Sequence, residues 1–160
     1  MKKNIFLFSY LLLFIPAIFL VACKKNDPPP EASKLELLTG IKWQLTHFYY
    51  QAASDNIRND FLNTYYTACE LDDIYEFTTD NALIRSSGKD SCTGEPPYGI
   101  ESSNWEIDSL LTQIVLAVPF GFTTTYKINT LNAQTLQLEQ DAKNYVEEDV
   151  IYTYVFKAAE

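Results

Sequence analysis

The chain has 160 residues, of which 47% are hydrophobic and 14% aromatic, and its formal net charge at pH 7 is −9. This length is enough for one domain with its own hydrophobic core. A chain this acidic would be repelled by nucleic acid and by anionic lipid surfaces, so the composition disfavours both as partners.

The first predicted element is a secretory leader. Two lysines precede an almost unbroken apolar run over residues 5–22, a pattern typical of the charged and apolar regions of a signal peptide. The run ends in Leu-Val-Ala-Cys at residues 20–23, which resembles the lipobox of bacterial lipoproteins. That resemblance implies cleavage before Cys23 and acylation of its thiol and its amine. Several acyl chains are needed because one chain gives only reversible membrane binding.

An ordinary transmembrane helix of about 20 residues is the alternative interpretation of the apolar run, since Lys24 and Lys25 could act as a stop-transfer flank. With the lipobox, the chain divides into a signal peptide (1–22), a lipidated Pro-rich tether (23–34) and a domain (35–160). Loss of the leader removes two of the 12 basic residues and takes the formal charge from −9 to near −11.

The expected location is the cell envelope, with the protein held on a membrane through Cys23. A lysine follows that cysteine. In lipoproteins that resemble this one, lysine at this position is compatible with sorting to the outer membrane. The sequence does not indicate which leaflet of the membrane carries the domain.

Two more cysteines, Cys69 and Cys92, form an even pair in an oxidising compartment. A disulfide between them would close a loop of about 24 residues and contribute on the order of 3 kcal/mol. Two separate thiols or a metal site are the alternatives. A metal normally requires more ligands nearby, and His47 is the one histidine of the chain.

From residue 35 onward, apolar and polar residues alternate with the period of two that is typical of strands. In the first predicted strand, this alternation assigns Trp43, Leu45, His47 and Tyr49 to one face. Helix is favoured only over residues 34–38 and, between the first two strands, over residues 55–66. The predicted strands cover residues 41–50, 73–79, 82–86, 104–107, 113–118, 122–129, 134–139 and 150–157.

About eight short strands with turns between most neighbours predict an all-β, antiparallel up-and-down barrel with one or two short helical segments. A β-sandwich is the second choice. No βαβ alternation is present, which argues against a parallel sheet.

Several segments, in this order, resemble the small bacterial lipocalin-like lipoproteins. They are LLTGIKWQL at 37–45, CELDDIYEF at 69–77, NWEI at 104–107 and YTYVF at 152–156. Two residues separate the glycine and the tryptophan of the first segment, where lipocalins usually have one. The likeness covers roughly residues 35–157 and implies a lipocalin-like barrel that binds a small apolar or amphipathic molecule inside.

Aromatic side chains are the candidate ligand contacts, because tyrosine offers an apolar ring with a polar tip. The predicted interior face of the strands supplies seven of them: Trp43, Tyr75, Phe77, Trp105, Tyr126, Tyr152 and Tyr154. The competing hypothesis is a non-enzymatic interaction module with a filled core, acting as an accessory subunit of an envelope assembly.

No residue pattern indicates catalysis, a metal or a cofactor. His47 would need a partner within hydrogen-bond reach to act as a base, and no nucleophile motif accompanies it. The acidic runs at residues 72–73 and 147–149 lack the spacing of a calcium loop, so we interpret them as solvated acids at strand starts. The sequence therefore predicts a binding protein and no enzyme, with an envelope hydrolase as the weakest hypothesis.

Overall fold

The structure is a computed structural model that describes residues 32–54, 57–93, 101–118 and 122–160. The chain divides into two units, residues 1–31 and residues 32–160, and all described residues belong to the second. The predicted signal peptide, Cys23 and most of the predicted tether lie outside the described residues. Within the described ranges, no helix has the length and hydropathy that crossing a bilayer requires.

Two short helices and nine strands make up the described chain. They are α1 (Lys34–Gly40), β1 (Lys42–Ala52), β2 (Arg58–Asp60), α2 (Leu62–Tyr65), β3 (Ile74–Phe77), β4 (Ala82–Ser86), β5 (Glu101–Ile107), β6 (Gln113–Val118), β7 (Phe122–Leu131), β8 (Thr135–Lys143) and β9 (Asp149–Ala158). Eight of these strands overlap the eight predicted ones.

The strands form one antiparallel sheet that closes on itself. From β3 to β9 each strand pairs with the next, and β1 pairs with both β3 and β9. The result is an eight-stranded barrel with β2 as an extra strand, which confirms the predicted lipocalin-like up-and-down barrel and excludes the sandwich. Closure removes the exposed sheet edges that a sandwich would leave.

A β-bulge in β1 changes which side chains face the interior. Leu45 pairs with Phe156, but His47 pairs with Val155, so Thr46 is an extra residue in the ladder. After the bulge Phe48 is buried and His47 is exposed. The prediction that His47 and Tyr49 share a face with Trp43 is therefore wrong.

The predicted helix over residues 55–66 is also wrong in part. Residues 58–60 form β2, and the helix is limited to Leu62–Tyr65, while residues 55 and 56 lie outside the described residues. The reason is non-local: β3 pairs with β1 only at residues 42–44, and β2 takes up the same edge of β1 at residues 49–51. Tertiary pairing overrides the local preference.

Helix α1 covers one end of the barrel, referred to below as the α1 end. It begins with a capping box, in which the Ser33 hydroxyl accepts from the Glu36 amide and the Glu36 carboxylate accepts from the Ser33 amide. The Trp43 indole donates to the Leu38 carbonyl, and both side chains are fully buried. Trp43 therefore closes the barrel floor despite the longer spacing from the glycine.

The packed core lies toward this end. Its buried members come from α1 and from six strands and are Leu38, Trp43, Leu45, Phe77, Trp105, Ile114, Leu136, Leu138 and Phe156. The opposite end of the barrel, called the distal end below, carries β2, α2 and the 144–148 hairpin turn.

Candidate ligand-binding site inside the barrel

Toward the distal end, the interior is lined by tyrosines. Alternation along β3, β7 and β9 directs Tyr75, Tyr126, Tyr152 and Tyr154 inward, and Tyr66 follows directly after α2. We call these five residues the tyrosine cluster. All five are partly exposed, in contrast to the buried core at the α1 end. The distal half of the interior is therefore less fully buried than the α1 end, and its tyrosines are accessible in part.

Phe48 lies at the centre of these rings. Its centroid is 4.9 Å from that of Tyr154, 5.7 Å from that of Tyr152 in a stacked arrangement, and 5.9 Å from that of Tyr66 edge-on. Tyr126 meets Tyr154 edge-on at 5.7 Å. Edge-to-face and offset pairs of this kind are favourable beyond the area that they bury. The aromatic wall is therefore continuous across β1, β9 and β7.

Burial makes three phenols of the cluster harder to ionise than an ordinary tyrosine. Desolvation raises the pKa of Tyr66, Tyr126 and Tyr154 above the ordinary tyrosine value. Neighbouring phenols act in the same direction on Tyr126 and Tyr154, since two phenolates would repel each other. At neutral pH these three side chains thus offer hydroxyl donors and acceptors together with ring faces.

One charged group points inward beside the cluster. Arg85 on β4 pairs in register with Tyr75, and its Nε donates to the Asp73 carboxylate at 2.7 Å. Its Nη2 lies 2.6 Å from the same carboxylate oxygen and 3.3 Å from Glu70 Oε1. Burial opposes the charge on Arg85, but the surrounding Tyr75, Asp73 and Glu70 hold its pKa above the usual value. Three charged side chains thus combine to a net charge of one negative.

A disulfide holds the loops next to this group. Cys69 and Cys92 are bonded, with Cα atoms 5.2 Å apart, which confirms the predicted pairing. Close by, the Asp72 carboxylate accepts from the amides of Lys89 at 2.6 Å and Asp90 at 3.0 Å. The loop after α2 is therefore tied to the loop after β4, and this fixes the surroundings of Glu70 and Asp73.

The segment over residues 57–66, which contains β2 and α2, is fixed to the edge of β1 beyond the residues that pair with β3. His47 Nδ1 lies 2.8 Å from Asp60 Oδ2, and the Phe61 amide donates to the Phe48 carbonyl at 2.7 Å. The Arg58 guanidinium lies 4.0 Å from the centroid of Tyr49. Tyr66 at the end of this segment reaches the core cluster. His47 thus contributes to the outer wall and lies away from the tyrosine cluster.

The seven predicted ligand contacts separate into two groups. Tyr75, Tyr126, Tyr152 and Tyr154 belong to the tyrosine cluster. The last three are linked by ring contacts to Phe48 or to one another, whereas the ring of Tyr75 contacts Phe156 of the core at 5.3 Å. The other three, Trp43, Phe77 and Trp105, are almost fully buried in the core at the α1 end. For all seven, ligand contact stays a prediction.

Sequence reasoning missed three residues of the site. Phe48 was not among the residues predicted to face the interior because the bulge was not foreseen, and Tyr66 was assigned to a longer helix. Arg85 carried a signal, since it alternates with Leu83 on the inward face of β4. In the described ranges, no group of three or more His, Cys, Asp or Glu side chains is placed to hold a metal ion.

Comparison with known proteins gives two findings. A family model described as a lipocalin-like domain matches residues 38–138. A solved structure, the complex of bovine odorant binding protein with a selenium-containing odorant, is similar at 11% sequence identity and a TM-score of 0.44, covering 82% of this chain and 76% of that one. No curated protein matches the chain.

Proposed function

The chain belongs to the lipocalin-like domain family, and on that premise we propose that it binds a small apolar or amphipathic molecule in the distal half of the barrel. The single observation that carries this proposal is the partly exposed tyrosine cluster above a fully packed floor. Ligand pockets are mostly apolar and aromatic with a few polar groups, which is the composition found here. The proposed role is binding without catalysis, and His47 is paired with Asp60 on the outer wall.

The direct test is native mass spectrometry of the mature protein purified from the envelope. A reproducible extra mass that disappears on denaturation would support the proposal and identify the ligand class. An environment-sensitive apolar dye serves as the second measurement, with the protein in phosphatidylcholine nanodiscs and empty nanodiscs as the control. A bare lipoprotein mass together with no dye binding above the control would refute a binding barrel.

We further propose that the protein is a lipoprotein anchored through Cys23, and that its membrane is the outer membrane. The support is the leader pattern and the tripeptide before Cys23, followed by a Pro-rich stretch up to the Ser33 cap of α1. Metabolic labelling with radioactive palmitate and fractionation of the two membranes test this. Cys23→Ser should abolish the label and leave an unprocessed precursor. Label that persists in that variant would contradict acylation at Cys23.

An interaction module is the second candidate function, and one observation favours it. Tyr145 and Val146 are 97% and 61% exposed on the turn between β8 and β9. The turn is well ordered, because the Asn144 side chain accepts from the amides of Val146 and Glu148, both at 3.0 Å. An exposed aromatic on an ordered turn suits a partner's pocket.

Photo-crosslinking in cells tests this second candidate. A photoreactive residue replacing Tyr145 should give a discrete crosslinked species that Val146→Ser abolishes. The matched control replaces Lys157, which is exposed near the α1 end. The same species at both positions would argue against a specific surface at the turn.

A further inference from the structure

We infer that the tyrosine cluster selects an organic cation, meaning an ammonium compound with an apolar part, over neutral or anionic molecules of the same shape. This rests on the proposed binding function and goes beyond it by naming the charge of the ligand. Three observations carry it: the ring surfaces, the internal charge balance and the charge of the whole chain.

The ring surfaces come first. Phe48, Tyr66, Tyr126, Tyr152 and Tyr154 form one set of linked rings, with neighbouring centroids between 4.9 and 5.9 Å apart. The face of an aromatic ring carries partial negative charge and attracts cations, most strongly where both partners are shielded from water. An apolar guest gains only contact area on such a wall, whereas a cation gains contact and electrostatic attraction. Phenol oxygens can also accept hydrogen bonds from ammonium N–H groups.

The internal charge balance excludes the usual means of anion binding. Arg85 is an inward-pointing cation next to the cluster, and it already binds Asp73 and Glu70. An anionic ligand would have to compete with two carboxylates for one guanidinium, and Asp73 is completely buried beside it. A cationic ligand instead meets the surplus negative charge of this group. Like charges that face each other across a contact disfavour binding, so the negative sign of this surplus favours a cationic ligand.

The charge of the whole chain acts in the same direction. A formal charge of −9 creates a negative potential that raises the local concentration of cations and speeds their association. The outer wall already contains the same type of contact, since Arg58 lies 4.0 Å from the centroid of the Tyr49 ring. The negative charge of the chain and the ring surface of the cluster therefore both favour an organic cation as the ligand.

Three probes that share one phenyl group test the inference: 2-phenylethylammonium, 2-phenylethanol and phenylacetate. We expect calorimetry on the nanodisc-bound mature protein to give about tenfold tighter binding for the ammonium than for the alcohol, with phenylacetate weakest. An alcohol that binds as tightly as the ammonium overturns the inference but leaves a binding barrel. Failure of all three probes and of the apolar dye overturns the binding function itself.

Matched variants assign the preference to the rings. Tyr154→Phe keeps the ring and should keep most of the preference for the ammonium, whereas Tyr154→Leu should lower ammonium binding about tenfold and alcohol binding much less. Tyr145→Leu, on the exposed turn, is the control and should change neither. Equal losses for both probes in Tyr154→Leu would contradict recognition by ring faces. Should Tyr154→Leu fail to fold in a thermal scan, Tyr66→Leu outside the strands provides the same comparison.

Discussion

Phe48 and Tyr154 face each other inside the barrel on the paired strands β1 and β9, with ring centroids 4.9 Å apart. The contact depends on the bulge at Thr46, which turns Phe48 inward and His47 outward. The Thr46 hydroxyl donates to the Val155 carbonyl at 3.0 Å and helps to hold this register. The extra residue, Thr46, thus places Phe48 on the same inward side as the core residues of β1.

Phe48→Ala should destabilise the protein strongly. The side chain is buried among four tyrosine rings, and phenylalanine-to-alanine changes in cores cost about 3–5 kcal/mol. His47→Ala is the matched control, since the neighbouring residue is exposed and its pair with Asp60 contributes at most about 1 kcal/mol. Denaturant unfolding measures both. Equal decreases in the free energy of unfolding for the two variants would contradict an inward Phe48 and an outward His47.

Arg85→Met should destabilise the barrel by removing the cation that compensates Asp73. Asp73 is completely buried, and breaking a buried ion pair on one side costs about 3–5 kcal/mol. The double variant Arg85→Met, Asp73→Asn should recover a large part of that loss, because no buried carboxylate then lacks its cation. A double-mutant cycle in urea checks this. Additive losses would contradict direct coupling between the two side chains.

Gly88→Ala should destabilise the loop after β4. A Cβ at this position would overlap the backbone oxygen and the carboxylate of Asp72, and overpacking costs about 1–3 kcal/mol. Gly40→Ala is the control, because its Cβ would meet nothing within 4 Å and it ends a helix that alanine favours. Thermal unfolding of both variants separates the two cases. A neutral Gly88→Ala would show that the loop relaxes freely.

The free energy of unfolding should decrease at acidic pH, and protonation of Asp108 should contribute to this decrease. Hydrogen bonds from the Gln113 amide and from Thr112 hold the pKa of Asp108 below its usual 3.8. Asp108 therefore binds a proton more readily in the unfolded chain than in the folded protein. Its contribution to the free energy of unfolding is present above pH 3.8 and is lost as the pH falls through the pKa that Asp108 has in the folded protein.

Asp108→Asn should therefore flatten the acid side of the curve of unfolding midpoint against pH. The remaining fall comes from other carboxyls with lowered pKa, such as Glu70, whose carboxylate accepts from Thr67. Parallel curves for the variant and the parent protein between pH 5 and pH 2 would contradict this role for the turn at residues 108–113.

Local pattern was sufficient for most of the fold. Alternation with period two located strands such as 82–86 and 113–118 at their observed bounds, and it assigned Tyr154 and Phe156 of β9 to the face that packs in the core. The pair Cys69 and Cys92 was likewise recognised from the cysteine count and was confirmed. Each of these features depends on the order of residues along one segment, or on the number of cysteines.

The sequence by itself determined the strand order, the barrel and four of the five members of the tyrosine cluster. Tertiary structure alone decided that Phe48 faces inward, that residues 58–60 form a strand and that Arg85 is neutralised by Asp73 and Glu70. The physical reason is that hydrophobic periodicity is local. A bulge, an added strand and a buried ion pair depend instead on which distant backbone and side chains the closed barrel brings together.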